Sequence, residues 1–387
     1  MAGQSQLQRY LLQFSYKGTR FSGLQKQTHR PLMAQLTQEE AGAVYSGDQG
    51  SVQGALEAAL WTFARPVNNL VVLQCSSRTD SGVHALCNTA HCDLAPGLLL
   101  GGFPSPREIT GHLNKAFIHS DVDVRVLKTL AVPPDFHARH HVISRSYLYR
   151  LAVLPPHSIV AKHKTHKLAK HQLNNADKRR RKRWIRNLEE QGQVGCHVSL
   201  LEEDRVHVVR QYVQSQEFNL ELFREAMSKM EGTHNFCRFV KSQGLLKYRR
   251  EGREYKAFDR TEEELTKTVS IRVEEVAPPF PSSVYPSYSH IKFVDVIVEG
   301  KSFLHNQIRR MVGLGISVAM GRVDLGLVDR LLSGEEASWN PVATPASPEG
   351  LYLARVEYPA SRLELATERF SEMMAMEKVV RERVEVE

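Results

Sequence analysis

The sequence predicts an α+β fold, and three observations carry that expectation. Residues 10–16 alternate, with Leu12, Phe14 and Tyr16 on one face, which is the period of a strand. Val52, Leu56, Leu60 and Phe63 recur at helical spacing and form one apolar stripe. The apolar run Leu70-Val71-Val72-Leu73 then returns to a buried strand. This strand–helix–strand order suits helices packed on one face of a sheet.

The remaining elements follow in chain order. Residues 28–50 are polar without sustained periodicity and read as a loop or insertion. Ser51 is a helix N-cap for the stripe behind it. Residues 95–108, rich in Gly and Pro, read as a loop, 113–117 as a short helix, and 122–126 and 130–136 as two strands. Tyr147, Tyr149 and Leu151 alternate on another strand. The region from about 156 to 216 is strongly basic and poor in apolar periodicity. A helix resumes at Leu220, with Leu222, Phe223, Ala226 and Met230 at helical spacing. Residues 291–298 read as a strong strand. Residues 303–320 read as a helix that buries Ile308, Met311, Val312 and Gly315. Residues 360–387 form a charged helical tail, and no short-period repeat points to a solenoid.

A chain of 387 residues can bury a substantial core and hold two domains. The net charge of +8 and pI near 9.2 point to a polyanionic partner, nucleic acid before membrane. Cys75, Cys87, Cys92, Cys196 and Cys237 show neither paired zinc spacing nor an even disulfide framework, which implies a reducing compartment. No apolar run is long enough to span a bilayer, and the first residues lack a secretory hydrophobic region. A soluble, intracellular protein is expected, with nucleus, mitochondrion and cytoplasm all open.

The segment Ser76-Ser77-Arg78-Thr79-Asp80-Ser81-Gly82-Val83-His84-Ala85 is the most informative in the chain. A strand breaks here into a polar turn that holds an arginine and a carboxylate two residues apart. Such a turn can present a carboxylate nucleophile beside its counter-ion. It is also ordinary turn chemistry, because Asp bonds its own backbone and Gly accepts positive φ.

Other segments, in order, decide between these readings. The turn resembles the catalytic loop of the TruA family of tRNA pseudouridine synthases, G/S-R-T-D-A/S-G-V-H. Phe14-Ser15-Tyr16-Lys17-Gly18 with Gly23-Leu24-Gln25-Lys26-Gln27 is similar to that family's opening Y-x-G…G-W-Q-x-Q, with Leu24 in place of Trp. Ser51-Val52-Gln53-Gly54-Ala55-Leu56-Glu57 resembles T-V-Q-G-x-L-E. Asp135-Phe136-His137-Ala138-Arg139 and Arg145-Ser146-Tyr147-Leu148-Tyr149 resemble F-H-A-R…R-x-Y-x-Y. The run from Phe303 through Arg309 to Gly313 resembles F-x-x-x-x-x-R-x-x-x-G, and the run from Ala343 to Leu353 a closing A-P-A-x-G-L-x-L with extra residues. The resemblance covers 10–27, 51–150 and 217–356 and is greatest to the animal tRNA pseudouridine synthase-like 1 branch.

The resemblance implies a pseudouridine synthase fold: two related sheet-and-helix subdomains, 7–128 and 129–358, with the active cleft between them. The second subdomain carries the basic insertion at about 156–216, and a charged tail follows at 359–387. It also implies isomerisation of uridine to pseudouridine in tRNA, in the anticodon stem-loop, by a homodimer. Asp80 is then the nucleophile and Arg309 its cation partner. Arg78 fills the space left by a flipped base, and Tyr147 stacks on the uracil. Read without the family, Arg309 is a helix-surface arginine, Tyr147 a core aromatic, and Arg78 a phosphate contact or turn salt bridge. The reaction is redox-neutral and needs no group donor, so no cofactor and no metal are expected. His84, His137 and His234 lack zinc spacing and read as structural or RNA-facing.

The run Lys178-Arg179-Arg180-Arg181-Lys182-Arg183 reads as an RNA contact, a nuclear localisation signal or a solvated disordered loop. Two alternative functions stay open at this point. One is a catalytically silent RNA-binding protein on the same scaffold, and the other a synthase acting on mRNA or rRNA.

Overall fold

The computed structural model describes residues 7–26, 50–64, 72–95, 103–154, 198, 202, 204–209, 217–240, 262–335 and 344–363. The expectations for the loop at 28–49, most of the basic insertion and the tail beyond 363 lie outside these residues. Two compact units divide the chain. The first comprises 1–148, 299–302 and 351–387, and the second 149–298 and 303–350.

In the first unit, strand β1 (Gln8–Tyr16) pairs antiparallel with β3 (His84–Leu94) on one side and β4 (Val124–Val132) on the other. The short β2 (Gln74–Cys75) pairs antiparallel with β3. Strand β10 (Leu351–Glu357) runs parallel to β3, with Tyr352 opposite His84. Beyond β10 lies the first half of β5 (Ser144–Val153). Two helices follow, α1 (Val52–Ala64) and α2 (Pro106–His119); α2 packs on β4, and α1 packs on α2. Tyr10, Leu12 and Phe14 of β1 are buried, as are Ile109, Leu113 and Phe117 of α2.

The structure corrects three readings in this unit. Where a buried strand is expected at 70–73, Val72 is exposed and the strand that forms is the two-residue β2 at Gln74–Cys75. The helix expected at 113–117 begins at Pro106. Ser105 caps it, its Oγ accepting from Glu108 N–H at 3.2 Å while Glu108 Oε2 accepts from Ser105 N–H at 2.7 Å. Ser-Pro-x-Glu is a helix-start signal that Gly/Pro-rich surroundings obscured. The two strands expected at 122–126 and 130–136 are one. Its pairing with β1 shifts between Gln13 and Phe14, opposite Lys128 and Val126, so Leu127 is the extra residue of a bulge. The bulge resets the alternation and leaves Leu127 exposed.

In the second unit the order is β5, β9 (Lys292–Gly300), β8 (Thr266–Val276) and β7 (Gly232–Asn235). Strand β6 (His207–Val209) runs parallel to the end of β5. Arg150 of β5 and Asp295 of β9 form a two-pronged ion pair at 2.8 and 2.7 Å. Helix α3 (Leu220–Lys229) is capped by Asn219 and packs on α4 (Gln307–Ala319), and α5 (Gly326–Ser333) follows. The helix expected from 303 starts at 307, because Asn306 adopts φ +60° and ends the preceding loop. Nearly every residue of α4 is buried, so it is a core helix and not an amphipathic one. The architecture is α+β, as the sequence predicts.

Candidate active site

Backbone contacts build the Asp80 turn. Ser76 N–H still donates to Thr89 O at 2.9 Å, so the chain parts from β3 only after Ser76. Val83 N–H donates to Asp80 O at 3.1 Å and closes a β-turn whose third residue, Gly82, has φ +81°. Behind the turn runs the segment 18–24. Leu24 N–H donates to Thr79 O at 3.1 Å, Ser81 Oγ donates to Phe21 O at 3.1 Å, and Gly23 bridges to Asp80. A Cβ on Gly18 would lie 2.0 Å from Val83 O, so only glycine lets this segment reach the turn.

Two further layers hold the turn. Below it, the Tyr16 hydroxyl sits 2.7 Å from Thr79 Oγ1 and accepts from Asn88 Nδ2 at 3.3 Å, while Ser76 Oγ donates to Asn88 Oδ1 at 3.0 Å. Burial pushes the Tyr16 phenol far up, so it stays a neutral hydroxyl. Before the turn, α1 contributes Gln53 and Glu57. Gln53 Nε2 donates to Leu73 O at 3.1 Å, and Glu57 Oε1 accepts from Leu73 N–H at 3.0 Å. Lys26 pairs with the same buried carboxylate. The conspicuous polar residues of Ser51-Val52-Gln53-Gly54-Ala55-Leu56-Glu57 therefore pin the strand that enters the turn.

Thr79 is buried in this floor, while Arg78 is exposed and Asp80 half-buried. Tyr147, on the first half of β5, is 8% exposed. Burial pushes its phenol to about 12; Arg145 and Ser77 oppose that rise and the Asp80 charge adds to it. Asp80 is thus close enough to Tyr147 to act on it. Arg78, Asp80 and Tyr147 belong to the first unit.

Arg309 belongs to the second unit, in the first turn of α4. Its Nη1 donates to Asn306 Oδ1 at 2.8 Å and its Nε to Ala346 O at 2.8 Å. One turn later, a Cβ on Gly313 would lie 2.0 Å from Thr344 O. Arg309 and Gly313 together clasp the segment 344–346.

The three singled-out histidines have local partners. Buried His84 accepts from Gly18 N–H through Nδ1 at 3.1 Å and stacks on Tyr352. His137 Nδ1 accepts from Arg139 N–H at 3.1 Å, and His234 Nε2 lies 2.7 Å from Glu231 O. Among the described residues no group of three or more His, Cys, Asp or Glu side chains is arranged to hold a metal ion. Among the same residues, no helix is long and apolar enough to cross a membrane.

A family model described as tRNA pseudouridine synthase matches residues 226–359. Over 359 residues the chain is 26% identical to the Xenopus laevis tRNA pseudouridine synthase-like 1, covering 92% of this chain and 93% of the relative. The Homo sapiens tRNA pseudouridine synthase-like 1 is 28% identical over 357 residues, 90% of each chain. The Thermus thermophilus tRNA pseudouridine synthase A is 27% identical over 364 residues, 92% of this chain and 99% of the relative. The chain is thus similar to tRNA pseudouridine synthases along nearly its whole length.

Within this chain, sequence reasoning singled out the side chains of the turn but not those that hold them. Tyr16, Asn88, Gln53 and Glu57 were visible only as motif letters or strand residues. Their work depends on contacts between segments far apart in sequence. Arg145 carried a local signal, because it sits two positions before Tyr147 on an alternating strand and so shares its face.

Proposed function

We propose that this protein isomerises uridine to pseudouridine in tRNA, with Asp80 as the nucleophile. The observation that carries the reading is the Asp80 turn itself. A half-buried carboxylate stands on a turn braced from three sides, with an exposed arginine two residues before it and a buried tyrosine within electrostatic reach. Such bracing is what a reacting group needs in order to keep its geometry.

The target uracil lies stacked in RNA and must leave the stack before the enzyme can act on it. Arg78, exposed beside the turn, takes the vacated place, and Tyr147 stacks on the uracil. Stacking of a base on an aromatic side chain is worth roughly 1–3 kcal/mol in single-strand binders. Arg309 serves as the cation partner of Asp80, an assignment that rests on its place in the R-x-x-x-G motif. Asp80 either adds to ribose C1′ as the N1–C1′ bond breaks or promotes elimination to a glycal. In both routes the uracil turns, C5 bonds to C1′, the C5 hydrogen leaves and N1 gains a proton. No electrons are exchanged and no group donor is consumed, so the chemistry asks for no cofactor. The anticodon stem-loop is the proposed target and a homodimer the proposed assembly, both from the family resemblance.

The test is tritium release from C5-labelled uridine in transcribed tRNA, with no cofactor added. Wild type should release tritium, and Asp80→Ala and Asp80→Asn should not, while tRNA binding stays within about fivefold. Binding without release by wild type would favour a silent RNA binder. Release from mRNA or rRNA fragments alone would move the substrate away from tRNA.

A further inference from the structure

Strand β1 leaves the sheet beside the Asp80 turn. Its register with β3 ends at Tyr16, opposite Ala85. Beyond that point Gly18 is still buried, and its N–H needs an acceptor other than a strand carbonyl. The His84 imidazole supplies one, Nδ1 accepting from Gly18 N–H at 3.1 Å. A backbone N–H can only donate, so this nitrogen carries no proton. His84 opens β3 and is 2% exposed, which rules out a direct contact with RNA. Its ring lies against that of Tyr352, its neighbour across the parallel pair with β10, with centroids 4.8 Å apart and planes 22° from parallel. The stack fixes the plane of the imidazole and hence the direction of Nδ1.

The bond sits at one end of the segment 18–24, which backs the turn. At the other end Leu24 N–H donates to Thr79 O at 3.1 Å. Between them Ser81 Oγ donates to Phe21 O at 3.1 Å, and Gly23 bridges to Asp80. Thr79 comes immediately before the carboxylate and His84 immediately after the turn, so the segment is fastened on both sides of Asp80. Without the imidazole acceptor, the buried Gly18 N–H would be left without a partner, and the segment would be free to draw back from the turn.

We propose that His84 is a positioning residue for Asp80. Its ring holds the start of the 18–24 segment, and that segment holds the turn that aims the carboxylate. The inference rests on the proposed function, in which Asp80 reacts with the target uridine. It gives a buried histidine, remote from substrate, an effect on the chemical step that it exerts through the backbone.

Two variants separate the ring from its acceptor. His84→Phe keeps a ring against Tyr352 and removes the acceptor, while His84→Asn gives up the ring and keeps an acceptor, Oδ1, near the Nδ1 position. In single-turnover tritium release from C5-labelled tRNA at saturation, His84→Phe should be roughly tenfold slower than wild type and His84→Asn within about threefold of it. The half-saturating tRNA concentration should stay within about twofold for both. Amide hydrogen exchange reads the same hold without the reaction. The Leu24 and Val83 amides, bonded to Thr79 O and Asp80 O, should exchange roughly tenfold faster in His84→Phe than in wild type or His84→Asn. Equal rates of release for the two variants overturn the inference, as does a loss confined to the half-saturating concentration, or faster exchange with release unchanged. Wild type that binds tRNA without releasing tritium overturns the proposed function and this inference with it. Active wild type with unaltered exchange in His84→Phe overturns the inference alone.

Discussion

Arg309 and Ala346 hold each other twice. Arg309 Nε donates to the Ala346 carbonyl at 2.8 Å, and Ala346 N–H donates to the Arg309 carbonyl at 2.8 Å. A side chain proposed to meet a carboxylate is therefore fixed at its root by the closing segment of its own unit.

Gly313 makes that clasp possible, and two alanine substitutions separate this role from helix propensity. Gly313→Ala places a methyl 2.0 Å from the Thr344 carbonyl oxygen, a backbone atom that cannot swing aside. It should destabilise the protein by more than about 2 kcal/mol despite the better helix former. Gly111→Ala, on α2 with nothing within 4 Å of the new Cβ, should stabilise by about 0.5–1 kcal/mol. Urea denaturation of both variants checks the pair, and equal effects would refute the clasp.

Stability should depend on His91 at mildly acid pH. His91 is 4% exposed, and its Nδ1 accepts from Ala138 N–H at 3.1 Å. Burial lowers its pKa from 6.5 to about 4, with Arg9, His137 and His141 acting in the same sense and Asp93 against it. Between those values the unfolded chain binds a proton that the folded chain does not, so stability rises with pH. The His91 contribution is complete above pH 6.5, falls as pH drops below it and levels off near 4. His91→Gln should flatten the loss between pH 7 and 4 by of the order of 2 kcal/mol relative to wild type. Parallel curves for the two proteins would remove His91 from the account.

The basic run 178–183 should matter to binding more than to chemistry. Neutralising Lys178, Arg179, Arg180, Arg181, Lys182 and Arg183 should weaken tRNA binding and leave the single-turnover rate at saturation unchanged. The slope of log K against log salt should shrink by about 0.7–0.9 for each phosphate that the run no longer neutralises. An unchanged slope would assign the run to another purpose, such as a nuclear address.

Local patterning made β1, α3 and β9 legible: α3 buries Phe223, Ala226 and Met227 at helical spacing, and β1 and β9 are short, largely apolar runs that are buried on both faces near their centres. It failed wherever a long-range contact decided the outcome. The bulge at Leu127 made one strand read as two, and a second register shift, between Phe14 and Tyr16 against β3, sits beside exposed Leu86. Strand β8 and helix α5 were not anticipated. In β8, Val269 and Ile271 are buried among charged neighbours, too short a stripe to stand out. At the site, the turn chemistry of Asp80 and Gly82 could be read directly. The hold of Arg145 on Ser77 spans 68 positions and left no mark on either segment alone.

The wall formed by residues 18–24 also makes chain initiation a functional matter. A product begun at Met33 would keep Arg78, Asp80, Tyr147 and Arg309. It would lack β1, which lies between β3 and β4, and with it Tyr16 beneath Thr79 and the backbone that meets Thr79, Asp80 and Val83. Every side chain proposed for the chemistry would be translated, yet the carboxylate would stand on a loop with its back removed. Such an isoform would make a natural negative control, complete in its reacting groups and deficient only in what aims them.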